Sequence, residues 1–240
     1  MDTINIQESA TLNASDGKCQ HLHLISSRPS AVKVEVSNNS YLNLKISVPE
    51  VKLRLSVDDL SQLYITFDVE SLKADINAES NGLFTLHLNR NVKRVHLDGE
   101  VRLKSPNALF HCKVTHVSND ADHNFYLHIT SYLSEGAKSM ARLKACSYFA
   151  SSTYAKFTSI CQGANSFTEQ HLHGLIMQKG AKMKFLPEII TERCIPSTAV
   201  HRALISQADK GVISYLKARG MSELNAEEIY VNAFLKHEEI

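Results

Sequence analysis

The chain of 240 residues is 43% hydrophobic and 21% charged, which is ordinary for a globular protein and excludes a disordered tail, a collagen-like rod and a coiled coil. Lys and Arg number 26 against 25 Asp and Glu, so the formal charge is +1. Proteins that bind nucleic acid carry a basic excess on one face, because contacts with phosphate dominate their affinity. The charge balance therefore predicts no nucleic-acid partner.

Hydropathy and cysteine usage indicate the compartment. No apolar run approaches the roughly 20 residues that a membrane helix needs, so we expect no membrane association. The first nine residues have neither the basic nor the apolar region of an export signal. The cysteines are odd in number and have no CxxC spacing, which fits reduced thiols better than a disulfide framework. They are Cys19, Cys112, Cys146, Cys161 and Cys194. Together these features predict a cytoplasmic protein.

From Tyr41 to about Ile190, apolar and polar residues alternate with a period of two. In residues 42–48, for example, every second side chain is apolar, which is typical of a half-buried β-strand. The same pattern predicts further strands at 51–57, 65–69, 72–78, 84–88, 95–97, 101–103, 110–114, 125–129 and 156–160. Most of the chain is therefore expected to be β-structure.

Turn residues separate these segments, which recur about every 10 residues. The turns are predicted at Ser37-Asn38-Asn39-Ser40, Asn81-Gly82 and Ser118-Asn119-Asp120. Regular short strands predict a β-sandwich, a barrel or a β-solenoid, and the spacing alone does not choose among them. We expect this β body to cover residues 1–198, with a leader strand or extension in about the first 20.

The spacing of apolar residues changes in the C-terminal subdomain, residues 199–240. A short helix is expected from Asp209, whose carboxylate suits the N-cap, to Gly220, which suits a left-handed stop. Ser222 is expected to cap a second helix that reaches Phe234. The apolar residues of this helical hairpin, expected to form complementary faces, are Val212, Ile213 and Leu216 on the first helix and Ile229 and Phe234 on the second.

Short motifs follow one another in a specific order near the C-terminus. His201 is followed by the acidic helix start Asp209, by Tyr215-Leu216-Lys217-Ala218-Arg219-Gly220-Met221-Ser222-Glu223 and by Ala233-Phe234. This order resembles the C-terminus of the SufB/SufD iron–sulfur cluster assembly scaffolds, without a gap from His201 to about Ala226. Upstream, Lys156-Phe157, Gly163-Ala164-Asn165, Leu175-Ile176-Met177 and Leu186-Pro187-Glu188-Ile189 are similar to the last solenoid turns of that family. The resemblance covers about residues 155–235.

The resemblance implies a fold and a role. The fold would be mainly β, a right-handed parallel β-helix core with a short C-terminal helical hairpin. The role would be that of a non-catalytic scaffold subunit, which pairs through its β-edges with a SufB-like subunit or with itself and docks a SufC-type ATPase. No cofactor would be bound tightly, and an iron–sulfur cluster or iron would be held transiently at the subunit interface. The family's N-terminal helical region and its glycine richness have no counterpart here, which implies a shortened or diverged member.

The same resemblance assigns site residues. His201 matches a histidine needed for cluster assembly at the interface of two scaffold subunits, and imidazole is a suitable ligand for iron. The alternative interpretation of His201, which stays open, is a structural histidine held by a backbone carbonyl at a strand-to-helix junction. Cys194 is a second candidate ligand, with a buried inert thiol as its alternative. The surface expected to dock the ATPase comprises Tyr215, Arg219, Met221, Tyr230 and Phe234, and its alternative is a hairpin that only caps the open end of the solenoid.

Neighbouring positions favour a SufD-like chain. Arg202 follows His201, where SufB-type chains resemble one another in having Glu. No cysteine stands near residues 170–173, where a SufB-type chain would carry its sulfur-accepting thiol. One feature argues against it, because Ala199 stands where SufD chains often carry a cysteine.

Other functions have weaker signals. The pairs His21-Leu22-His23 and His171-Leu172-His173 would each point to one face of a strand and could chelate a metal, or they are simply solvated. A carbohydrate-active enzyme needs paired carboxylates, and Asp68, Asp75 and Asp98 are scattered in the sequence. The remaining alternative is a β-solenoid or β-sandwich module for protein–protein interaction, without a role in cluster chemistry.

Overall fold

A computed structural model describes residues 2–120, 123–192 and 195–236. In this part of the chain, 17 strands precede two helices. They are β1 (Asp2–Asn5), β2 (Ser9–Ala14), β3 (Cys19–Ile25), β4 (Ser30–Val36), β5 (Tyr41–Ser47), β6 (Glu50–Val57), β7 (Gln62–Phe67), β8 (Ser71–Ser80), β9 (Leu83–Leu88), β10 (Arg94–Leu103), β11 (Leu109–Ser118), β12 (Asn124–Leu133), β13 (Lys138–Ser147), β14 (Ser152–Cys161), β15 (Phe167–Ile176), β16 (Lys182–Thr191), β17 (Thr198–Gln207), α1 (Lys210–Ala218) and α2 (Glu223–Lys236).

Successive strands belong to different sheets. The odd-numbered strands form a nine-stranded sheet, here called the first sheet, and the even-numbered strands form an eight-stranded sheet, the second sheet. Each ladder between the described strands is parallel and joins a strand to the next but one in sequence. A chain that alternates in this way between two parallel sheets winds as a β-solenoid. The predicted parallel β-helix is therefore confirmed, and the sandwich and barrel alternatives are wrong.

The core consists of apolar side chains stacked in columns between the two sheets. In the first sheet Leu42, Leu63, Phe84 and Phe110 are consecutive register partners, and each is at most 1% exposed. The rings of Phe84 and Phe110 stack with their centroids 5.3 Å apart. Burying one such side chain contributes about 1.5–3 kcal/mol, so these columns hold successive turns together. The alternation seen in the sequence is the inward and outward alternation of these strands.

The turns lie where the sequence predicted them. Asn38 and Asn39, between β4 and β5, adopt φ angles of 56° and 58°. Asn tolerates this left-handed region better than most residues, because its short side chain can bond to the local backbone. The Asn81-Gly82 turn likewise separates β8 from β9. These turns fix the point at which the chain passes from one sheet to the other.

The solenoid extends further in both directions than the alternation suggested. Strands β1 and β2 lie within residues 2–14 and pair in parallel with β3 and β4. At the other end, β17 crosses the expected boundary at residue 199, so the helical segment begins only after Gln207. A terminal strand has one neighbour instead of two, so it buries little and needs no strict alternation. The edge strand β16 even contains Pro187, which an inner strand would not tolerate.

Both helix starts are capped as the sequence predicted. The Asp209 carboxylate accepts a hydrogen bond from the Gly211 amide at 2.8 Å. The Ser222 hydroxyl accepts one from the Asn225 amide at 3.2 Å. Gly220, between the helices, has a φ of 92°, the left-handed conformation expected at a helix end. The predicted helical hairpin is confirmed.

The helices pack on the side of the solenoid. Val231 of α2 is 5% exposed and lies in a cluster with Cys146 of β13 and Leu175 of β15. Ile213 and Phe234 pack against the same cluster. Val212 and Ile229 are 41% and 46% exposed, so the expected pairing of apolar faces between the two helices is wrong for these residues. The cluster contains residues of α1, α2 and the first sheet, so the sheet and the partner helix together cover the apolar side of the hairpin.

Candidate functional site at the open end of the solenoid

His201 lies inside β17, the last strand of the first sheet. Its register partner is Gln170 of β15, which pairs in turn with Ala141 of β13. Gln170 and Ala141 are buried, so His201 continues an inward-facing column into the final rung. Among the described residues no strand covers β17, and the imidazole is exposed. The alternative of a carbonyl-held histidine at a strand-to-helix junction is wrong, because His201 is within the strand.

The interior of the last turns is polar. The Gln170 amide donates to the Ser159 hydroxyl at 2.8 Å and to the Glu188 carbonyl oxygen at 3.1 Å. The Thr168 hydroxyl also donates to Ser159, at 2.8 Å. The oxygen of the Gln170 side chain is buried and has no hydrogen-bond partner among the described residues. Since neighbouring rungs are about 4.8 Å apart, an unused acceptor lies close to the rung of His201.

The ligands that this end can offer are few. Within residues 2–120, 123–192 and 195–236, no group of three or more His, Cys, Asp or Glu side chains is placed to hold a metal ion. Cys194, the second candidate ligand, lies outside the described residues. Cys112 and Cys146 are buried, and burial raises the pKa of both thiols, to about 12 for Cys146. Among the described residues, His201 therefore does not belong to a group that could hold a metal ion.

The residues expected to dock an ATPase fall into two groups. Tyr215 and Met221 are 57% and 37% exposed, and the Arg219 guanidinium lies 5.3 Å from the centroid of the Tyr215 ring. Tyr230 and Phe234 instead hold the hairpin in place. The Tyr230 hydroxyl accepts from the Asp209 amide at 3.1 Å, and the Phe234 carbonyl accepts from Lys144 at 2.9 Å. The first group forms a free surface, and the second anchors it.

The His-x-His pairs lie on strands β3 and β15. In the first pair, His21 contacts the Cys19 thiol at 3.6 Å, and His23 contacts the Ser47 hydroxyl at 2.7 Å. In the second pair, His171 forms an ion pair with Glu169 at 3.0 Å. His23 and His171 therefore each have a separate polar partner outside the pair.

An aromatic and acidic cluster on the second sheet was missed in the sequence. The rings of His96, Tyr126 and Tyr154 stack in neighbouring turns, with centroid distances of 4.7 Å and 5.2 Å. The Asp98 carboxylate lies 3.3 Å from His96 and 3.4 Å from His128. The signal that could have found it is the strand register. Residues one solenoid turn apart are neighbours, but the sequence alone does not give the length of each turn.

The strand register also brings two of the three aspartates together. Asp75 and Asp98, which are scattered in the sequence, are direct register partners on β8 and β10. Asp68 lies elsewhere and pairs with Lys45 at 2.6 Å. Asp75 and Asp98 are therefore neighbours on one face of the second sheet, although they are scattered in the sequence.

The comparisons with known proteins leave the site to be interpreted from its geometry. Neither the scan against protein-family models nor the search of curated proteins gives a match. Within the described ranges, the helices are too short or too polar to cross a membrane.

Proposed function

We propose that the chain is a SufD-like scaffold subunit of a Suf-type iron–sulfur cluster assembly complex. The observation that carries the proposal is the placement of His201, an exposed imidazole on the last rung of an open solenoid end. An incomplete ligand set at such an end fits a site that a second subunit completes. The ordered resemblance from His201 to Phe234 supports the same assignment. In this role the chain is a scaffold and not an enzyme.

The proposed partner at the open end is a SufB-like subunit, or a second copy of the chain. Strands β16 and β17 are the edges of their sheets and leave backbone groups free to pair with another strand. Val200, Leu204 and Ile205 of β17 are 40–52% exposed, which gives that edge an apolar surface to bury. Pairing there would bring ligands of the partner next to His201.

The proposed partner at the hairpin is a SufC-type ATPase. Tyr215, Arg219 and Met221 supply the aromatic, Arg and Met side chains that are enriched in interface cores. Ala208, which directly follows β17, packs in the cluster that anchors the hairpin. A movement imposed on the hairpin would therefore reach the strand that carries His201.

The cluster in this proposal is a transient cargo, and no tightly bound cofactor is needed. Imidazole can replace thiolate as a ligand to an iron–sulfur cluster, as His does on one iron of Rieske centres. The proposed compartment is the cytoplasm. Its support is that Cys19, Cys112, Cys146 and Cys161 are free thiols.

One experiment tests the proposal. The chain is co-purified with SufB-like and SufC-like proteins of its own organism, and the complex is reconstituted anaerobically with iron and sulfide. We expect visible absorbance of a cluster in the wild-type complex and its loss in His201→Ala with the complex intact. His21→Ala, a histidine on β3 far from the open end, is the matched control and should keep the absorbance.

The second candidate function is an interaction module without cluster chemistry. The observation in its favour is the exposed apolar residues of β17 combined with the lack of a complete metal site in the described residues. A complex that forms normally but gives the same absorbance with His201→Ala as with wild type would favour this alternative. Failure of the chain to bind either partner would contradict the scaffold proposal.

A further inference from the structure

A groove lies between α2 and a row of four solenoid turns, which follow β9, β11, β13 and β15. The turns contribute, in chain order, Arg90, Asn119, Phe149 and Gln178. The groove has a volume of about 460 Å³, within the range of small-molecule sites. Neither β17 nor α1 lines it, so the groove is separate from both surfaces of the proposed function.

One face of α2 forms the wall opposite the turns. Its lining residues are spaced three or four positions apart and so lie on the same side of the helix: Leu224, Glu227, Glu228, Val231 and Asn232. From the first to the last of them the helix rises about 12 Å. Three rung spacings of about 4.8 Å make the row of turns about 14 Å long. The two walls therefore have similar lengths.

Large apolar side chains are exposed on both walls. Phe149 is 52% exposed on the solenoid side, and Leu224 is 75% exposed on the helix. The ring of Tyr148 lies beside that of Phe149, with a centroid distance of 6.4 Å. Phe149 has a φ of 50°, a left-handed conformation that is strained for a bulky residue. Strained residues cluster at functional sites, and this one places an aromatic ring at the groove.

The carboxylates of Glu227 and Glu228 bring negative charge to the same groove. Neither carboxylate forms an ion pair within the part of the chain that the structure describes. Burial raises the pKa of the Tyr148 phenol, and both carboxylates raise it further. Their field therefore reaches the aromatic side of the groove.

Arg90 is the cation among the described lining residues, and it lies at the first turn of the row. Its exposed guanidinium donates a hydrogen bond to the Asn232 Oδ1 at 2.8 Å. Phe149 is two rungs away, about 10 Å. That distance is about one Debye length at roughly 0.1 M salt, so Arg90 offsets the two carboxylates only in part.

We propose that this groove binds a small molecule that joins a cationic amine or guanidinium group to an apolar body. The cation lies between the carboxylates of α2 and the aromatic rings of the β13–β14 turn, whose π faces attract positive charge. The apolar body is covered by Phe149 and Leu224, which are exposed without a ligand. An inorganic cation would leave these two side chains uncovered.

The test is calorimetric titration of the full chain with phenethylamine, whose ring, short stem and ammonium group represent this class. Phenethyl alcohol has the same shape without the charge, and phenylacetate carries the opposite charge. We expect millimolar or tighter binding of phenethylamine and about tenfold weaker binding of phenethyl alcohol, because a hydrogen bond to a charged group is lost. Phenylacetate should bind more weakly still.

The variant E227Q/E228Q tests the carboxylates. It should weaken the binding of phenethylamine about tenfold or more, for the same reason. E8Q/E135Q replaces two exposed glutamates outside the groove and makes the same change of charge, so it should alter the Kd less than about twofold. Unchanged melting temperatures verify that both variants keep the fold.

Phe149→Gly tests the aromatic wall. Glycine adopts a positive φ without strain, so the variant should melt within a few degrees of wild type or higher. Loss of the ring should weaken the binding of phenethylamine about threefold or more. Leu60→Gly is the matched control, because Leu60 is also exposed, at 70%, and also has a left-handed φ, of 61°, but lies outside the groove. It should leave the Kd unaltered.

Three results would overturn the proposal. The first is the lack of millimolar or tighter binding of phenethylamine to the wild type. The second is binding of phenylacetate that is as tight as that of phenethylamine, which would mean that the groove does not select a cation. The third is an equal Kd for a variant and its control, either E227Q/E228Q and E8Q/E135Q or Phe149→Gly and Leu60→Gly, which would place the binding elsewhere.

Discussion

The Nδ1 of His116 donates a hydrogen bond to the carbonyl oxygen of Val92 at 3.2 Å. A carbonyl can only accept, so this contact fixes the tautomer of the neutral imidazole, whose Nε2 has no partner in the described residues. The ring is 1% exposed and packs on Phe125 with a centroid distance of 4.4 Å. A histidine in this setting belongs to the core, and its charge state is coupled to folding.

We predict that His116 makes the protein sensitive to acid. Burial lowers its pKa from 6.5 to about 4, the Val92 hydrogen bond opposes this shift, and His123 adds to it. Between these two pH values the unfolded chain binds a proton that the folded chain does not, so stability is lost as the pH falls from 6.5 towards 4. The loss is on the order of 3 kcal/mol. Melting temperatures measured across this window should fall.

The variant His116→Asn isolates this effect. An Asn amide can donate near the position of Nδ1 but does not titrate, so the melting temperature of the variant should depend less on pH between 6.5 and 4. The exposed His21→Asn should follow the wild-type profile. Parallel profiles for wild type and His116→Asn would show that other groups cause the acid sensitivity.

The second prediction concerns the apolar columns of the core. Leu86 is 1% exposed and lies between Ile65 and Cys112 in the first sheet. Leu86→Ala should destabilise the fold by about 2–5 kcal/mol, because the rigid columns above and below cannot collapse into the cavity. Leu86→Asp should unfold the solenoid. Denaturant titration measures both.

Leu224→Ala provides the control for this substitution, since Leu224 is 75% exposed. It should change the free energy of unfolding by less than about 0.5 kcal/mol. If Leu86→Ala and Leu224→Ala cost the same, the stacked columns are not what stabilises the solenoid.

The sequence predicted most of the solenoid because alternation records burial directly. Strands such as β5 and β6 are covered on both edges, and every second residue is buried. The bounds of the end strands could not be predicted, because β1 and β17 have one neighbour each and mostly exposed side chains. The architecture could not be chosen from the strands alone either, since alternation gives the faces of a strand and not its partners.

In the candidate site, too, some features could be predicted from the sequence and others could not. The caps at Asp209 and Ser222 were predictable, because a cap depends on residues two or three positions away. The stack of His96, Tyr126 and Tyr154 was not, because its members come together only through the register of three turns. Irregular turn lengths hide such columns in a sequence.

Docking of the hairpin gives a third prediction. Val231 is 5% exposed against Cys146 and Leu175, whereas Val212 of α1 is 41% exposed. Val231→Ala should therefore lower stability by about 1–2 kcal/mol and increase hydrogen exchange in α2. Val212→Ala makes the same chemical change and should leave both nearly unaltered. Equal effects would mean that α2 is not anchored by the solenoid.

The last prediction separates a docking role of the hairpin from a purely structural one. The Arg219 guanidinium lies 5.3 Å from the centroid of the Tyr215 ring, and α1 has no buried residue. Substituting both by Ala should therefore leave the melting temperature within a few degrees of wild type. If the hairpin docks a SufC-type ATPase, the same double variant should lose most of its binding in a pull-down, because aromatic and Arg side chains carry much of the energy of an interface. Lys210→Ala, at the exposed start of the same helix, is the control and should keep binding. A structural role would give the opposite pattern, with binding retained by the double variant and a clearly lower melting temperature.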